Sequence, residues 1–70
     1  MEPDAWIATF AASLGVDAPD PALIEQLLDL AGIAAHASQR TAAPIACYLV
    51  GLAGIDVATA QARAEAIASV

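Results

Sequence analysis

The residues of this chain that could do chemistry are concentrated in one segment, from His36 to Pro44. It contains the only histidine and one of two arginines, Arg40. We predict that a helix ends here, so that both side chains stabilise its negatively polarised end. The alternative is a small anion- or partner-docking site, in which Arg40 offers a planar fork to a carboxylate or phosphate. Amides at the start of the next helix would add donors. The candidate residues are His36, Arg40, Thr41 and Pro44.

A polar strip along the preceding helix is a second candidate. It contains Glu25, Asp29 and His36, and Gly32 leaves a notch between the last two. Carboxylates and imidazole can bind a metal or move protons. However, Asp29 and His36 are two turns apart, about 10 Å along the helix axis, and the sequence has no His-x-x-x-His or Glu-x-x-His pair. We interpret the strip as a solvated helix face, with Asp29 and Gly32 kept as candidates for partner or anion binding. We predict no catalytic residues, no metal and no cofactor.

The single cysteine, Cys47, excludes an internal disulfide and a cysteine-based metal cage. A nucleophilic thiolate needs a neighbouring base or cation, and His36 could supply one only through the tertiary fold. We therefore interpret Cys47 as a buried structural residue. It shares a small-residue face with Gly51 and Gly54, where another backbone could come close. The candidates for helix contact are Gly51, Cys47 and Trp6.

The composition is acidic and strongly apolar. The formal net charge is −6, and two arginines cannot build a surface for phosphates, which argues against nucleic acid and anionic membranes. Hydrophobic residues make up 60% of the chain, and 20 of its 70 residues are alanine. Two interpretations are open: a tight, alanine-lined bundle, or an apolar patch covered by a second chain.

The sequence predicts neither membrane insertion nor secretion. The longest uncharged run, residues 41–55, is shorter than the roughly 20 residues that a membrane-spanning helix needs. The start Met-Glu-Pro-Asp has no basic segment and no apolar core of a secretory signal. We expect a cytoplasmic protein.

Apolar periodicity and cap residues predict an all-α fold, a small four-helix bundle or orthogonal helical array in a single helical domain over residues 1–70. Asp20 and Asp56 are expected to cap helices, Gly15 to end one, and Thr41 offers a capping hydroxyl. The second helix is expected to be the central packing element. The predicted helices cover about residues 4–14, 21–39, 44–53 and 57–68.

The first helix carries its apolar stripe at a spacing of four residues, with Trp6, Phe10 and Leu14. We expect Trp6 and Phe10 to be core anchors. The alternative is that Trp6 is exposed and docks into a partner.

The pattern Ala35-His-Ala-Ser-Gln-Arg40-Thr-Ala-Ala-Pro44, followed by Leu49-Val-Gly51, resembles a family of short uncharacterised bacterial helical domains with a His-x-x-x-Arg-x-Ala-Ala-Pro signature. Members stand alone or follow a molybdenum-cofactor nucleotidyltransferase domain. The resemblance implies a link to molybdopterin cofactor assembly or to molybdenum-dependent oxidoreductases. It supplies no catalytic residues, and the chain lacks a nucleotide-binding loop.

Three hypotheses for function follow. The first is a non-catalytic accessory or adaptor subunit docking on a larger protein, such as a molybdenum-dependent oxidoreductase of the formate dehydrogenase type or its cofactor-assembly machinery. The second is a small-molecule or anion-binding module, dimeric or not, that uses His36 and Arg40. The third is a homo-oligomer, namely a homodimer with no other partner, that pairs through the small-residue face of the third helix.

Overall fold

The computed structural model describes residues 1–68, which form four α-helices and no strand. The all-α prediction is confirmed. No helix within these residues combines the length and the hydrophobicity needed to cross a bilayer. The helices are α1, Pro3–Leu14; α2, Pro21–Ala37; α3, Ala42–Ala53; and α4, Val57–Ala68.

Cap residues determine where α2 and α4 begin and where α1 ends. The Asp20 carboxylate accepts a hydrogen bond of 2.8 Å from the Leu23 N–H at the start of α2. Asp56 does the same for α4, because its Oδ1 accepts from the Thr59 N–H at 2.8 Å. Gly15 ends α1 in the left-handed region, with φ of 75°, a conformation that costs glycine little. The expectations for these three residues are confirmed.

The α2–α3 connection differs from the prediction. α2 ends at Ala37, two residues before the expected end, because Ser38 leaves the helical region with φ of −132° and ψ of −101°. α3 then begins two residues early, at Ala42. Pro44 is tolerated as the third residue of α3, since the first four N–H groups of a helix have no partner within it.

Thr41 occupies the N-cap position of α3, one of the two positions that the sequence allowed with Ala43, but its hydroxyl does not cap the helix. A capping hydroxyl needs an extended backbone, but Thr41 lies in the right-handed helical region and its side chain makes no capping bond. The first amides of α3 are satisfied by a backbone turn instead. The Ala42 N–H donates to the Gln39 carbonyl at 2.9 Å, and the Ala43 N–H donates to the Arg40 carbonyl at 3.1 Å.

The core lies on one face of α2, against which both α3 and α4 pack. Leu30 at its centre is 1% exposed, and Val57 and Ala60 of α4 cover it. The role predicted for α2 is confirmed. Partly buried apolar side chains surround this centre: Leu23, Leu27, Cys47, Val50, Ile55 and Ala64.

α1 contributes nothing to this core, so the prediction that Trp6 and Phe10 are core anchors is wrong. Trp6 is 52% exposed and Phe10 is 47% exposed. Only Ala11 is buried on this helix, and Ile7 is half-buried. Because consecutive helical residues are about 100° apart, the packed edge at Ile7 and Ala11 lies to one side of the Trp6–Phe10 stripe.

The fold leaves a large surface for its mass. The accessible area is 5251 Å², whereas a compact monomer of this size exposes about 4,000 Å². The radius of gyration is 12.7 Å, and the molecule measures 39 by 23 by 18 Å. Of the two interpretations of the composition, the structure therefore favours an exposed apolar surface over a tight bundle.

Candidate functional site

His36 is exposed in the last turn of α2, and its Nδ1 lies 2.9 Å from the Gly32 carbonyl oxygen. A carbonyl can only accept, so Nδ1–H is the donor. The Gly32 notch is open, since a Cβ there would meet no atom within 4 Å.

Arg40 lies outside α2, in the exposed connection to α3. The prediction that His36 and Arg40 share the last helical turn is wrong for Arg40, because the chain leaves the helical conformation at Ser38. Stabilisation of the helix end therefore explains His36 but not Arg40. The second hypothesis, an anion-binding module, gains no support from this geometry.

The polar strip of α2 is a solvated face as expected, since Glu25, Asp29 and His36 are all exposed. Within residues 1–68, no group of three or more histidine, cysteine or acidic side chains is placed to hold a metal ion.

Cys47 is half-buried at the edge of the core, and its Sγ lies 4.0 Å from the Leu27 carbonyl oxygen. With Gly51 and Gly54 it lines a shallow apolar cavity of about 560 Å³. A Cβ at Gly51 would meet no atom within 4 Å. No other helix of the described chain therefore comes close to Gly51.

One exposed line of side chains starts beside Arg40 and runs along α3. Tyr48 is 65% exposed and Leu52 is 69% exposed, and Thr41 and Pro44 are exposed as well. Their spacing of three or four residues places them on one side of the helix. We call Thr41, Pro44, Tyr48 and Leu52 the outer ridge of α3.

A second surface is an apolar groove between α3 and α4. Both helices pack on α2 but contact each other little, and they leave two adjoining cavities of about 450 and 310 Å³. Residues of the α2–α3 connection line one end of this groove. The α3–α4 groove is defined here by Ile33, Ile45, Leu49, Ala64, Ile67 and Arg63.

The third surface is the aromatic face of α1, formed by Trp6, Phe10 and Leu14. The rings of Trp6 and Phe10 stack with centroids 5.0 Å apart and planes inclined by 24°. All three side chains are exposed, because α1 packs through its other edge. The sequence makes Trp6 a candidate for contact between helices. Its ring stacks on Phe10 of the same helix, and about half of its side chain remains exposed to solvent.

With these surfaces located, comparison with known proteins adds one finding. A domain of unknown function, DUF6457, matches residues 1–70. The chain belongs to this family. The match extends beyond Gly51 and assigns no activity, and no curated protein and no solved structure matches the chain.

Sequence reasoning identified the connection but missed the groove and the ridge. In the sequence, Ile45, Tyr48, Leu49 and Leu52 have the spacing of one large apolar face of α3, but this spacing alone assigns no site to them. The available signal was that this helix is apolar on nearly every side while only two neighbouring helices could cover it.

Proposed function

We propose that this chain is a non-catalytic helical docking module, an accessory subunit that binds a larger protein in the cytoplasm. The surface assigned to that protein is the outer ridge of α3 with Arg40 at its end. The observation that carries the proposal is the exposure of Tyr48 and Leu52 on the side of α3 that begins at Thr41, the residue after Arg40. Tyrosine and arginine are among the residues that most often dominate the energy of protein interfaces.

The placement of the reactive side chains supports binding over catalysis. His36 is engaged with the Gly32 carbonyl, and Cys47 packs at the core edge. The carboxylates nearest to His36 on its helix are exposed to solvent, and its Nδ1 bonds a backbone carbonyl rather than either of them. Catalysis requires such groups to be held within hydrogen-bond reach of one another.

The resemblance to the His-x-x-x-Arg-x-Ala-Ala-Pro domains supports a specific class of partner. This class is a molybdenum-dependent oxidoreductase of the formate dehydrogenase type, or a nucleotidyltransferase of molybdenum-cofactor assembly. The signature residues Arg40 and Pro44 lie where the ridge begins, so the sequence signature and the proposed docking surface share one end of α3.

The test measures binding of the immobilised chain to a purified formate dehydrogenase and to a purified molybdenum-cofactor nucleotidyltransferase from the same host. Leu52→Ser removes an apolar group from the ridge. Leu28→Ser is a matched control, because Leu28 is also exposed, at 66%, but lies on α2.

We expect Leu52→Ser to weaken binding of one of these proteins by about tenfold or more, the loss typical of a well-packed interface residue. Leu28→Ser should bind as the original chain does. Absence of binding to both proteins, or an equal loss in both variants, would contradict the proposal.

A further inference from the structure

Two of the three apolar surfaces lie outside the proposed docking ridge and have complementary shapes. The aromatic face of α1 is a convex line of large side chains, and the α3–α4 groove is a concave apolar channel. We propose that two copies of this chain associate reciprocally, with the aromatic face of each α1 lying in the α3–α4 groove of the other copy. This inference is independent of the larger partner proposed above.

The exposed area matches what such a dimer needs. Each chain has 5251 Å² of accessible surface, about 1,200 Å² more than expected for its mass. A stable interface buries roughly 800 Å² on each partner. The half-exposed rings of Trp6 and Phe10 with Leu14 supply only on the order of 300 Å². Pairing of α1 with α1 alone is therefore too small, whereas the reciprocal arrangement buries a face and a groove on each copy.

The lengths of the elements are also compatible. α1 and α3 each contain 12 residues, which corresponds to about 18 Å of helix, so the aromatic face can lie along the whole groove. Side chains spaced by four residues on one helix fit between those of its neighbours. A helix laid over the gap between α3 and α4 would complete a bundle around α2, while Ile7 and Ala11 keep α1 on its own chain.

The charges do not oppose this contact, and they indicate which way α1 runs along the groove of the other copy. Although each copy carries −6, residues 5–16 and 41–55 contain no charged side chain. The charged residue that lines the groove is Arg63, at the end away from the α2–α3 connection. Two carboxylates, those of Glu2 and Asp4, lie at the N-terminal end of α1. The N-terminal end of α1 therefore points toward Arg63 of the other copy.

The first measurement is sedimentation of the full chain from micromolar to millimolar concentrations, with the fluorescence of Trp6, the only tryptophan. We expect a transition from 7.0 kDa to twice that mass, accompanied by a blue shift as the indole leaves water. A chain that stays monomeric over the whole range overturns the proposal.

The second measurement uses two variants that are each unable to self-associate. Leu49→Asp places a carboxylate in the groove, and Phe10→Asp places one in the aromatic face. Both side chains are about half exposed, so the monomers should remain folded, as circular dichroism can verify. In a dimer of either variant, both contacts contain the substituted element. We expect association to weaken by about tenfold or more, because each contact would bury an unpaired charge.

Mixing the two variants distinguishes reciprocal pairing from a dimer in which the two aromatic faces, or the two grooves, contact each other. The α1 of the Leu49→Asp chain is intact, and so is the groove of the Phe10→Asp chain, so the mixture regains one complete interface. We expect the mixture to dimerise more tightly than either variant alone. If mixing restores nothing, the arrangement is wrong. If either aspartate variant unfolds, Leu49→Ser and Phe10→Ser replace the pair in the same mixing experiment.

The predicted direction of α1 has its own test. Arg63→Asp should weaken dimerisation, and combining it with Glu2→Arg should restore it, because the charges are then exchanged across the interface. Asp4 is not used, since it lines the cavity between α1 and α2 of its own chain. Failure of the double variant to recover contradicts the orientation. Tyr48→Ser removes a ridge side chain that lies about 100° from Leu49 around α3. It should dimerise as the original chain does and weaken only binding of the larger partner, so a failure of the larger-partner proposal and a failure of this one remain distinguishable.

Discussion

α1 and α2 carry similar apolar stripes, yet the stripe of α2 is buried at Leu30 and partly buried at Leu23 and Leu27, while that of α1 faces solvent. Residues 38–41 connect α2 to α3, and residues 54–56 connect α3 to α4. These two short connections place α3 and α4 on the face of α2 that contains Leu30. α1 precedes α2 through residues 15–20, and only its edge at Ile7 and Ala11 packs. The comparison teaches that periodicity identifies an apolar face, whereas topology determines whether the same chain covers it.

The largest expected effect on stability is at Leu30, the buried residue of the α2 stripe. Leu30→Ala should lower the free energy of unfolding by about 3 kcal/mol, because it leaves a cavity in the centre of the core. Urea unfolding of dilute protein measures the change. A loss below about 1 kcal/mol would show that α2 is no better packed than an exposed helix.

A smaller effect is expected where α2 begins. Asp20→Ala removes the acceptor of the Leu23 N–H and should cost about 1 kcal/mol. Asp20→Asn is the control, because asparagine retains an acceptor and should recover most of the loss. Equal losses in the two variants would mean that the cap does not position α2.

A substitution in the aromatic face of α1, the counterpart of Leu30→Ala in α2, should change the stability of the monomer still less. Phe10→Ser removes a half-exposed ring and its stack on Trp6, which should cost about 0.5 to 1 kcal/mol in dilute solution. The measurement is urea unfolding at a concentration where the chain is monomeric. A loss as large as that of Leu30→Ala would contradict the exposure of the aromatic face.

Acid should weaken the start of α4. The Thr59 backbone N–H and then its hydroxyl donate to Asp56 and lower the pKa of this carboxyl, because they stabilise its charged form. A carboxyl whose pKa is lower in the folded chain contributes stability above the unfolded value of about 4, and this contribution is lost as the pH falls through the folded pKa.

The check is the urea midpoint, measured at neutral and at acidic pH. Asp56→Asn should make the decrease in acid smaller than in the original chain, since asparagine has no carboxyl to protonate. Asp17→Asn, in the α1–α2 connection, removes a carboxyl that caps no helix and should behave like the original chain. An unchanged acid dependence for Asp56→Asn would rule out this linkage.

Local features of the fold were predictable from the sequence because their physics is local. Asp20, Asp56 and Gly15 act on amides or φ angles within a few residues, and their roles follow from residue type and position. The end of α2 was not predictable in the same way. Its position depends on the conformation of Ser38 and on a turn in which the Gln39 and Arg40 carbonyls accept from the next helix.

The candidate surfaces depended on tertiary structure and could be predicted only in part. The sequence indicated the segment from His36 to Pro44, and the structure places it at the start of the outer ridge and at one end of the groove. The groove itself exists because α3 and α4 separate over α2, which no residue spacing encodes. For Trp6, both readings were open from the sequence, and the exposed one corresponds to the structure.

The central claim is that α1 is held weakly within its own chain and that a second molecule covers its aromatic face. Amide hydrogen exchange of residues 6–14 and 27–33, compared between dilute and concentrated protein, tests it most directly. We predict that α1 exchanges far faster than α2 in dilute protein and gains protection with concentration, while α2 changes little. Protection of α1 equal to that of α2 in dilute protein, or independent of concentration, would contradict the account.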